Sequence, residues 1–117
     1  MSAINRVYVY ATLKHKGIRE QALGSDARTV RVVLAVVRDF REVNVVIGTE
    51  QWPSLEADPG TLTQGDVLFV SDHDLDRLCQ WEAKKYTKLP IVVEDWGLCW
   101  VFMLQQWAHK PGSDGQR

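Results

Sequence analysis

Glu82 is the residue whose position is hardest to explain as ordinary packing. Leu75, Leu78 and Cys79 recur at the spacing of one helical face, and Glu82 lies two turns beyond Leu75 on the same stripe. A carboxylate on a core-facing stripe is costly unless it is paired or takes up a proton. Such a position is typical of a general acid or base with a raised pKa. The alternative is that the stripe leaves the core at the helix end, where Glu82 would pair with a nearby lysine.

The end of the first predicted strand is a second place where the chain could bind a ligand. Tyr10, Ala11, Thr12 and Leu13 lead from the strand into a loop. Backbone N–H groups of such turns can form an anion-binding concavity. The alternative is an ordinary strand-to-loop transition without a ligand.

Other catalytic arrangements are missing from the sequence. It contains no Ser-His-Asp or Cys-His arrangement and no metal-ligand cluster, and its three histidines lie in predicted loops or at chain edges. Cys79 and Cys99 are far apart and do not form a metal-type or redox-type pair, which favours two free, buried cysteines over a disulfide. We therefore expect neither a metal nor a cofactor.

The helix that would position Glu82 has a clear start signal. Ser71 can cap it, and Asp74 three residues later completes a Ser-x-x-Asp capping arrangement. Asp72 adds a second negative charge near the positive end of the helix.

Strand-type residues dominate much of the remaining chain. β-branched and aromatic runs predict strands over 5–10, 29–37, 43–47, 64–70, 86–94 and 97–107. The sequence predicts a small α+β domain, a curved or barrel-like mixed sheet of five to six strands with one packed helix. Strands that follow one another without helices between them argue against a doubly wound parallel sheet.

Two proline-containing segments refine this prediction. Pro53, Pro59 and Gly60 predict an irregular stretch between strands. Pro90 assigns its strand to a sheet edge or marks a bulge, because proline lacks the N–H that a central strand needs. Residues 18–23 are predicted to form a helical turn.

Length and composition limit the classes of protein that remain. The 117 residues suit one domain, predicted over 1–108, and the polar residues over 109–117 predict a flexible tail. The 14 basic and 15 acidic residues give a net charge of −1, which excludes the strongly basic balance of a dedicated nucleic-acid binder. No apolar run approaches the roughly 20 residues of a membrane-spanning helix. Because the start lacks the order of a secretion signal, we expect a cytoplasmic protein.

Five segments follow one another in a specific order. Residues 7–14 read Val-Tyr-Val-Tyr-Ala-Thr-Leu-Lys, and prolines follow in 52–55 and 58–60. Residues 65–70 read Gly-Asp-Val-Leu-Phe-Val, residues 75–82 read Leu-Asp-Arg-Leu-Cys-Gln-Trp-Glu with Tyr86 beyond, and residues 99–102 read Cys-Trp-Val-Phe.

This order resembles that of the γ-glutamylcyclotransferase-like family of small enzymes, which includes plant avirulence-induced proteins and γ-glutamylamine cyclotransferases. Family members show Tyr-Gly-Thr-Leu, a proline-rich loop, Gly-Glu-Leu-Tyr-x-Val, Leu-Asp-x-Leu-Asp-x-Tyr-Glu and Ala-Trp-Val-Tyr at the corresponding places. The resemblance covers roughly residues 6–103, nearly the whole predicted domain.

The resemblance implies an intramolecular cyclisation of a γ-glutamyl amide that releases 5-oxoproline and an amine. By position, Glu82 would transfer the proton. Residues 10–13 would cradle the glutamyl part of a small-molecule substrate, and Tyr86 would form a hydrogen-bonding wall, although plain core packing of Tyr86 is an equal alternative. No external nucleophile is needed, because the substrate carries its own attacking group.

Two departures from the family pattern open an alternative. Ala11 and Ala83 stand where the family has glycines, and glycine matters where φ is positive or a ligand approaches closely. The protein is therefore either an active enzyme with a changed substrate or a domain of this shape that binds a ligand without turnover.

A basic first half suggests a different kind of partner. The cations singled out in this half are Lys14, Lys16 and Arg19, together with the arginines that bracket the second predicted strand, Arg28, Arg31, Arg38 and Arg41. They could face an acidic protein or nucleic acid, or they could guard a strand edge against sheet-to-sheet pairing. The near-zero net charge favours the second interpretation, so we do not expect nucleic acid as a partner.

Overall fold

Five strands and two helices make up the part of the chain that the computed structural model describes, residues 4–82 and 85–104 without the side chain of Thr12. The elements are β1 (Ile4–Val9), α1 (Lys16–Leu23), β2 (Arg31–Ile47), β3 (Glu50–Ser71), α2 (Asp72–Glu82), β4 (Tyr86–Val93) and β5 (Gly97–Leu104). Short 3-10 turns span Ala11–Lys14 and Gly24–Arg28. The predicted tail over 109–117 lies outside the described residues.

The strands form one mixed sheet in the order β2-β3-β1-β5-β4. β1 runs parallel to β5, with Val7 opposite Trp100, and antiparallel to β3. The β2–β3 and β4–β5 pairs are antiparallel as well. The predicted α+β class with a mixed sheet is confirmed, and Pro90 lies in β4, an edge strand, as predicted.

The sheet curves until its two edges touch. The Glu94 N–H donates to the Val36 carbonyl at 3.0 Å, and the Arg38 guanidinium pairs with the Glu94 carboxylate at 2.7 Å. β2 and β4 are thus brought together at one point without a continuous ladder, so the sheet is barrel-like but not closed.

The curvature creates two apolar cores. One lies between the sheet and the helices, where Val7, Leu68 and Phe102 pack with Leu23 and Leu78. The other lies inside the curve of the sheet and draws on all five strands, with the members Tyr8, Tyr10, Ala35, Val37, Leu55, Val67, Ile91, Val93, Cys99 and Val101.

The middle of the chain is more regular than the sequence predicted. The predicted irregular stretch belongs to β3, and the predicted strands over 29–37 and 43–47 merge into β2. The reason is tertiary, because β2 pairs with β3 over 50–57 and 62–69, and Pro53 lies opposite Asn44 within the ladder. Pro59 and Gly60 mark only a register shift, where the Gly60 N–H donates to the Asp39 carboxylate at 2.8 Å.

Helix α2 follows its sequence signals closely, whereas α1 exceeds its prediction. The Asp74 N–H donates to the Ser71 hydroxyl at 3.1 Å, which confirms the predicted cap of α2. The second helix is α1, which is longer than the predicted turn and begins at Lys16. Cys79 is half-buried and Cys99 buried, and both are free as predicted. None of the helices in the described part of the chain is long and apolar enough to cross a membrane.

Candidate active site

One cavity brings together residues from opposite ends of the sequence. Its wall contains Tyr8, Val9, Tyr10, Leu13, Pro53, Glu82, Tyr86 and Phe102. The cavity is narrow. Its volume of about 20 Å³ leaves room for about one water molecule. Tyr10, Leu13, Glu82 and Tyr86, four of the predicted site residues, therefore meet at one place.

Glu82 is the last residue of α2. It lies on the predicted apolar stripe of this helix, and it lines the cavity. Leu75 and Leu78 of that stripe are buried and Cys79 is half-buried, so the carboxyl group follows them into an apolar environment. Glu82 itself is half-buried, and burial raises the pKa of its carboxyl from 4.5 to about 7. A group with this pKa exchanges protons readily near neutral pH, which is the property of a general acid or base.

Two tyrosine hydroxyls fix the walls on either side of the carboxyl group. The Tyr10 hydroxyl donates to the Phe102 carbonyl at 2.6 Å, and the Tyr86 hydroxyl donates to the Pro53 carbonyl at 2.7 Å. Burial raises the pKa of both phenols well above the ordinary value, so both stay protonated. The tyrosines therefore shape the cavity as neutral hydrogen-bond donors.

The turn after β1 contributes to the cavity through its ends. Leu13 is buried and lines the wall, whereas Ala11 lies in the turn without lining it. The backbone of Thr12 belongs to the same turn, and its side chain lies outside the described residues. Ala11 has a φ of +51°, a conformation that favours glycine. The family glycine that Ala11 replaces therefore corresponds to a real conformational requirement in this fold.

Other wall residues were not predicted from the sequence. Tyr8, Val9, Pro53 and Phe102 line the cavity because the sheet places β1 beside β3 and β5. These residue types are common in strands, and nothing in the local sequence distinguishes the four from other core residues. Ser54, which is fully buried behind this wall, accepts a hydrogen bond from the Leu104 N–H at 3.3 Å.

A larger cavity of about 210 Å³ lies at the other end of β1. Its wall contains Ile4, Asn5, Arg6, Pro90, Leu98, Cys99 and Trp100, and none of these carries a carboxylate. The smaller cavity is therefore the better candidate for acid-base chemistry, because it holds the group with a pKa near neutrality.

One cluster in the described residues has ligand atoms spaced for a metal. Asp26, His73 and Asp74 each place one such atom within 4.8 Å of the others, and none of the three lines the cavity. The Arg77 guanidinium lies 3.3 Å from the Asp26 carboxylate and 3.8 Å from that of Asp74. A positive charge is thus already supplied to these carboxylates by the protein itself.

Several arginines of the basic first half have partners within the fold. Arg38 pairs with Glu94, and the Arg41 Nε donates to the Glu56 carboxylate at 2.8 Å. The Arg31 guanidinium lies 4.9 Å from the centre of the Phe69 ring. These contacts reduce the positive charge available to an outside partner.

Comparisons with known proteins bear on the family and the fold of the chain. A family model described as gamma-glutamyl cyclotransferase, AIG2-like, matches residues 7–116. No curated protein sequence matches the chain significantly.

Solved structures show the same fold at low sequence identity. An Arabidopsis thaliana protein solved in solution is 18% identical with a TM-score of 0.73, over 100% of this chain and 72% of its own. YkqA from Bacillus subtilis is 18% identical with a TM-score of 0.75, over 89% of this chain and 41% of its own. A structure titled gamma-glutamyl cyclotransferase is 14% identical with a TM-score of 0.72, over 88% of this chain and 68% of its own.

Proposed function

The chain belongs to the gamma-glutamyl cyclotransferase, AIG2-like family, and from this premise we propose that it cyclises a γ-glutamyl amide to 5-oxoproline and a free amine. The observation that carries the proposal is the half-buried Glu82 carboxyl, which lines a cavity beside the turn after β1 and whose pKa is raised by burial to about 7. This is the group that the reaction needs, because a proton must leave the attacking ammonium and reach the departing amine.

The proposed reaction balances without water or a second reactant. Ionised Glu82 accepts a proton from the substrate α-ammonium, and the free amine attacks the γ-carbonyl carbon. A new C–N bond closes the five-membered ring, and the original amide C–N bond breaks. Glu82 then gives its proton to the departing nitrogen, which restores the carboxylate. The second proton, which the ring nitrogen loses as it becomes an amide, also passes to the released amine, which leaves as an ammonium ion. One carboxyl with a pKa near neutrality serves both transfers.

The turn over residues 10–13 is the proposed site for the glutamyl part. A left-handed residue such as Ala11 turns neighbouring backbone N–H groups toward one side, a geometry that suits an anion. These groups would bind the α-carboxylate of the substrate or the oxyanion that develops on the carbonyl oxygen. Tyr10 and Tyr86 would hold the apolar walls around the substrate chain.

Binding requires the cavity to widen. The present space holds about one water, whereas a glutamyl group is several times larger. Movements of side chains at a binding surface are common, so the walls are expected to part when the substrate enters. Ala11, in place of the glycine of the family pattern, supports the second candidate, a domain of this fold that binds a small ligand without turnover.

A release assay separates the two candidates. We would offer the purified protein a panel of γ-glutamyl amides, including glutathione and γ-glutamyl-lysine-type compounds, and detect 5-oxoproline by mass spectrometry. We expect release by the wild-type protein and none by Glu82→Gln. Circular dichroism would show that the variant keeps its fold. Full activity in Glu82→Gln would contradict the proposed mechanism. If the wild-type protein releases no 5-oxoproline from any compound of the panel, the binding-only candidate is favoured.

A further inference from the structure

The larger cavity, at the start of β1, lies where two parallel strands separate. β1 pairs with β5 through Val7 and Tyr8, two of its six residues. Toward the start of β1 the two strands stay paired with their outer neighbours, β1 with β3 and β5 with β4, but not with each other. The wall of the cavity comes mainly from residues 4–6 and 98–100. We call this space the β1–β5 gap.

The β1–β5 gap is large enough for a small organic molecule. Its volume is about 210 Å³, and an apolar cavity of about 150 Å³ already holds a benzene molecule. Ile4, Leu98 and Trp100 give the wall large apolar side chains, and Ile4 and Leu98 are each 63% exposed. A ligand in the gap would remove apolar surface of these side chains from water, which favours a ligand with an apolar body.

Arg6 supplies the wall of the gap with a positive charge. Its guanidinium donates to the Leu98 carbonyl at 3.5 Å, a distance typical of a weak hydrogen bond. It forms no ion pair with a carboxylate of the described residues. A guanidinium carries five N–H donors, so this single weak bond leaves most of the donors of Arg6 to a ligand.

The described wall of the gap contains no acidic side chain that could neutralise Arg6. Asn5 connects the wall to a carboxylate, because its amide donates to Asp72 at 2.8 Å. Asp72 is the first residue of α2, where the positive end of the helix stabilises its charge. Asp72 therefore orients Asn5 without pairing with Arg6.

One guanidinium in an apolar wall suits an anion with a single charge and an apolar body. A carboxylate matches the planar guanidinium through two parallel hydrogen bonds, whereas a phosphate with two charges would need a second cation. We propose that the β1–β5 gap binds a small carboxylic acid with an apolar body of about one ring. Its carboxylate would pair with Arg6, and its body would contact Leu98 and Trp100. The gap shares no described wall residue with the cavity of Glu82, so this site is independent of the proposed reaction.

Benzoate and benzamide test the proposal, because they share the ring and differ in the charge of the group attached to it. Titration of the ¹⁵N-labelled wild-type protein, followed by NMR, reports both the affinity and the place of binding. We expect benzoate to bind about tenfold more tightly than benzamide, as a charge-assisted hydrogen bond predicts. The backbone amide signals of residues 4–6 and 98–100 should shift with benzoate, and those of residues 10–13 should not.

A variant of Arg6 should remove the preference for the charged compound. Arg6→Gln removes the charge and keeps a polar side chain. It is expected to weaken benzoate binding about tenfold and to change benzamide binding by about twofold or less. The matched control is Arg28→Gln, which removes an exposed arginine that does not line the gap. It should leave both affinities unchanged, and circular dichroism would show that both variants keep the fold.

The comparison of the two compounds on the wild-type protein decides the proposal even if Arg6→Gln fails to fold. Equal affinities for benzoate and benzamide would overturn it, and so would the absence of saturable benzoate binding at millimolar concentrations. Benzoate-dependent shifts confined to the signals of residues 10–13 and Glu82 would place the anion in the other cavity and overturn it as well. Because the titration involves no turnover, its outcome does not depend on whether the protein releases 5-oxoproline.

Discussion

A carboxyl group at the end of an apolar stripe is subject to two opposing effects. The leucines of α2 bring Glu82 into the protein, and loss of water disfavours its charge. The helix end and the cavity keep it close enough to solvent and ligand to exchange a proton. Burial is the cause of its raised pKa, and the sequence pattern already contained the reason for that burial.

The pKa of Glu82 predicts a pH-dependent stability difference for Glu82→Gln. The folded protein keeps the proton up to about pH 7, whereas the unfolded chain loses it near pH 4.5. Wild-type stability therefore falls as the pH rises through this window. We expect Glu82→Gln, which bears no charge, to be more stable than wild type by roughly 2 kcal/mol at pH 8, and the difference to vanish near pH 4.5.

Urea unfolding at several pH values would measure this difference. Equal stability of both proteins across the range would show that the carboxyl is not desolvated. In the active protein, kcat/KM should rise through about pH 7 as Glu82 loses its proton.

Ala11 is a second residue whose backbone conformation leads to a prediction. Its φ of +51° costs an alanine about 1 kcal/mol relative to glycine, part of which the greater freedom of glycine in the unfolded chain offsets. Ala11→Gly is expected to stabilise the protein by roughly 0.5–1 kcal/mol in chemical denaturation.

A matched control for Ala11→Gly is available on β3. Ala57 is exposed in a paired strand, so Ala57→Gly should lose stability by about 0.5–1 kcal/mol. Loss of stability in Ala11→Gly would contradict the left-handed conformation. If wild type releases no 5-oxoproline and Ala11→Gly does, the protein is an enzyme whose activity decayed at this position.

At the scale of elements, the long β2–β3 hairpin and β1 together build one side of the cavity. Pro53 reaches the wall because β3 stays paired through the segment that its prolines would otherwise interrupt. Tyr8 reaches it from β1, and its hydroxyl donates to the Thr63 carbonyl at 3.1 Å. The approach of β1 to β3 at this place depends on a small residue, Gly65.

Gly65→Ala is expected to disturb this approach. A methyl group on Gly65 would lie 2.5 Å from the Val9 carbonyl oxygen and 2.7 Å from the Tyr8 ring, so backbone and ring must shift. Overpacking of this kind costs about 1–3 kcal/mol, and displacement of Tyr8 should also alter ligand binding in the cavity. Thermal unfolding and 5-oxoproline release would measure the two effects.

Gly17→Ala serves as the control for Gly65→Ala. It lies in α1 with no atom within 4 Å of the added methyl group, so the change should raise stability by up to about 1 kcal/mol. Unchanged stability of Gly65→Ala would show that β1 and β3 have room to separate.

At the scale of the whole molecule, the curvature of the sheet determines which charged side chains are paired with one another at the surface. The contact between β2 and β4 pairs Arg38 with Glu94, and the hairpin pairs Arg41 with Glu56. Both pairs are largely exposed, so each adds little stability. These pairs have a larger effect on which partners the protein binds, because they balance positive charges that binding to nucleic acid would require.

We therefore predict no appreciable binding to nucleic acid at physiological salt. Fluorescence anisotropy with labelled single-stranded and duplex oligonucleotides should show no saturable change at micromolar protein. Binding that weakens steeply with salt would contradict this prediction and favour the basic face as an interaction surface.

The sequence by itself determined the local features of this protein. The capped helix, its apolar stripe, the edge position of Pro90 and the turn after β1 depend on residue type and spacing over a few positions. Glu82 was identifiable for the same reason, because helical periodicity relates it to Leu75 and Leu78 within one element.

Only the tertiary structure decided which distant segments share a wall. The continuity of β3 past its prolines depends on pairing with β2, and the meeting of Pro53 with Tyr86 and of Tyr10 with Phe102 depends on the strand order. Ordinary strand residues become cavity residues through that order alone. The narrow cavity follows from it, because long-range pairing between segments far apart in the chain leaves no local signature in the sequence.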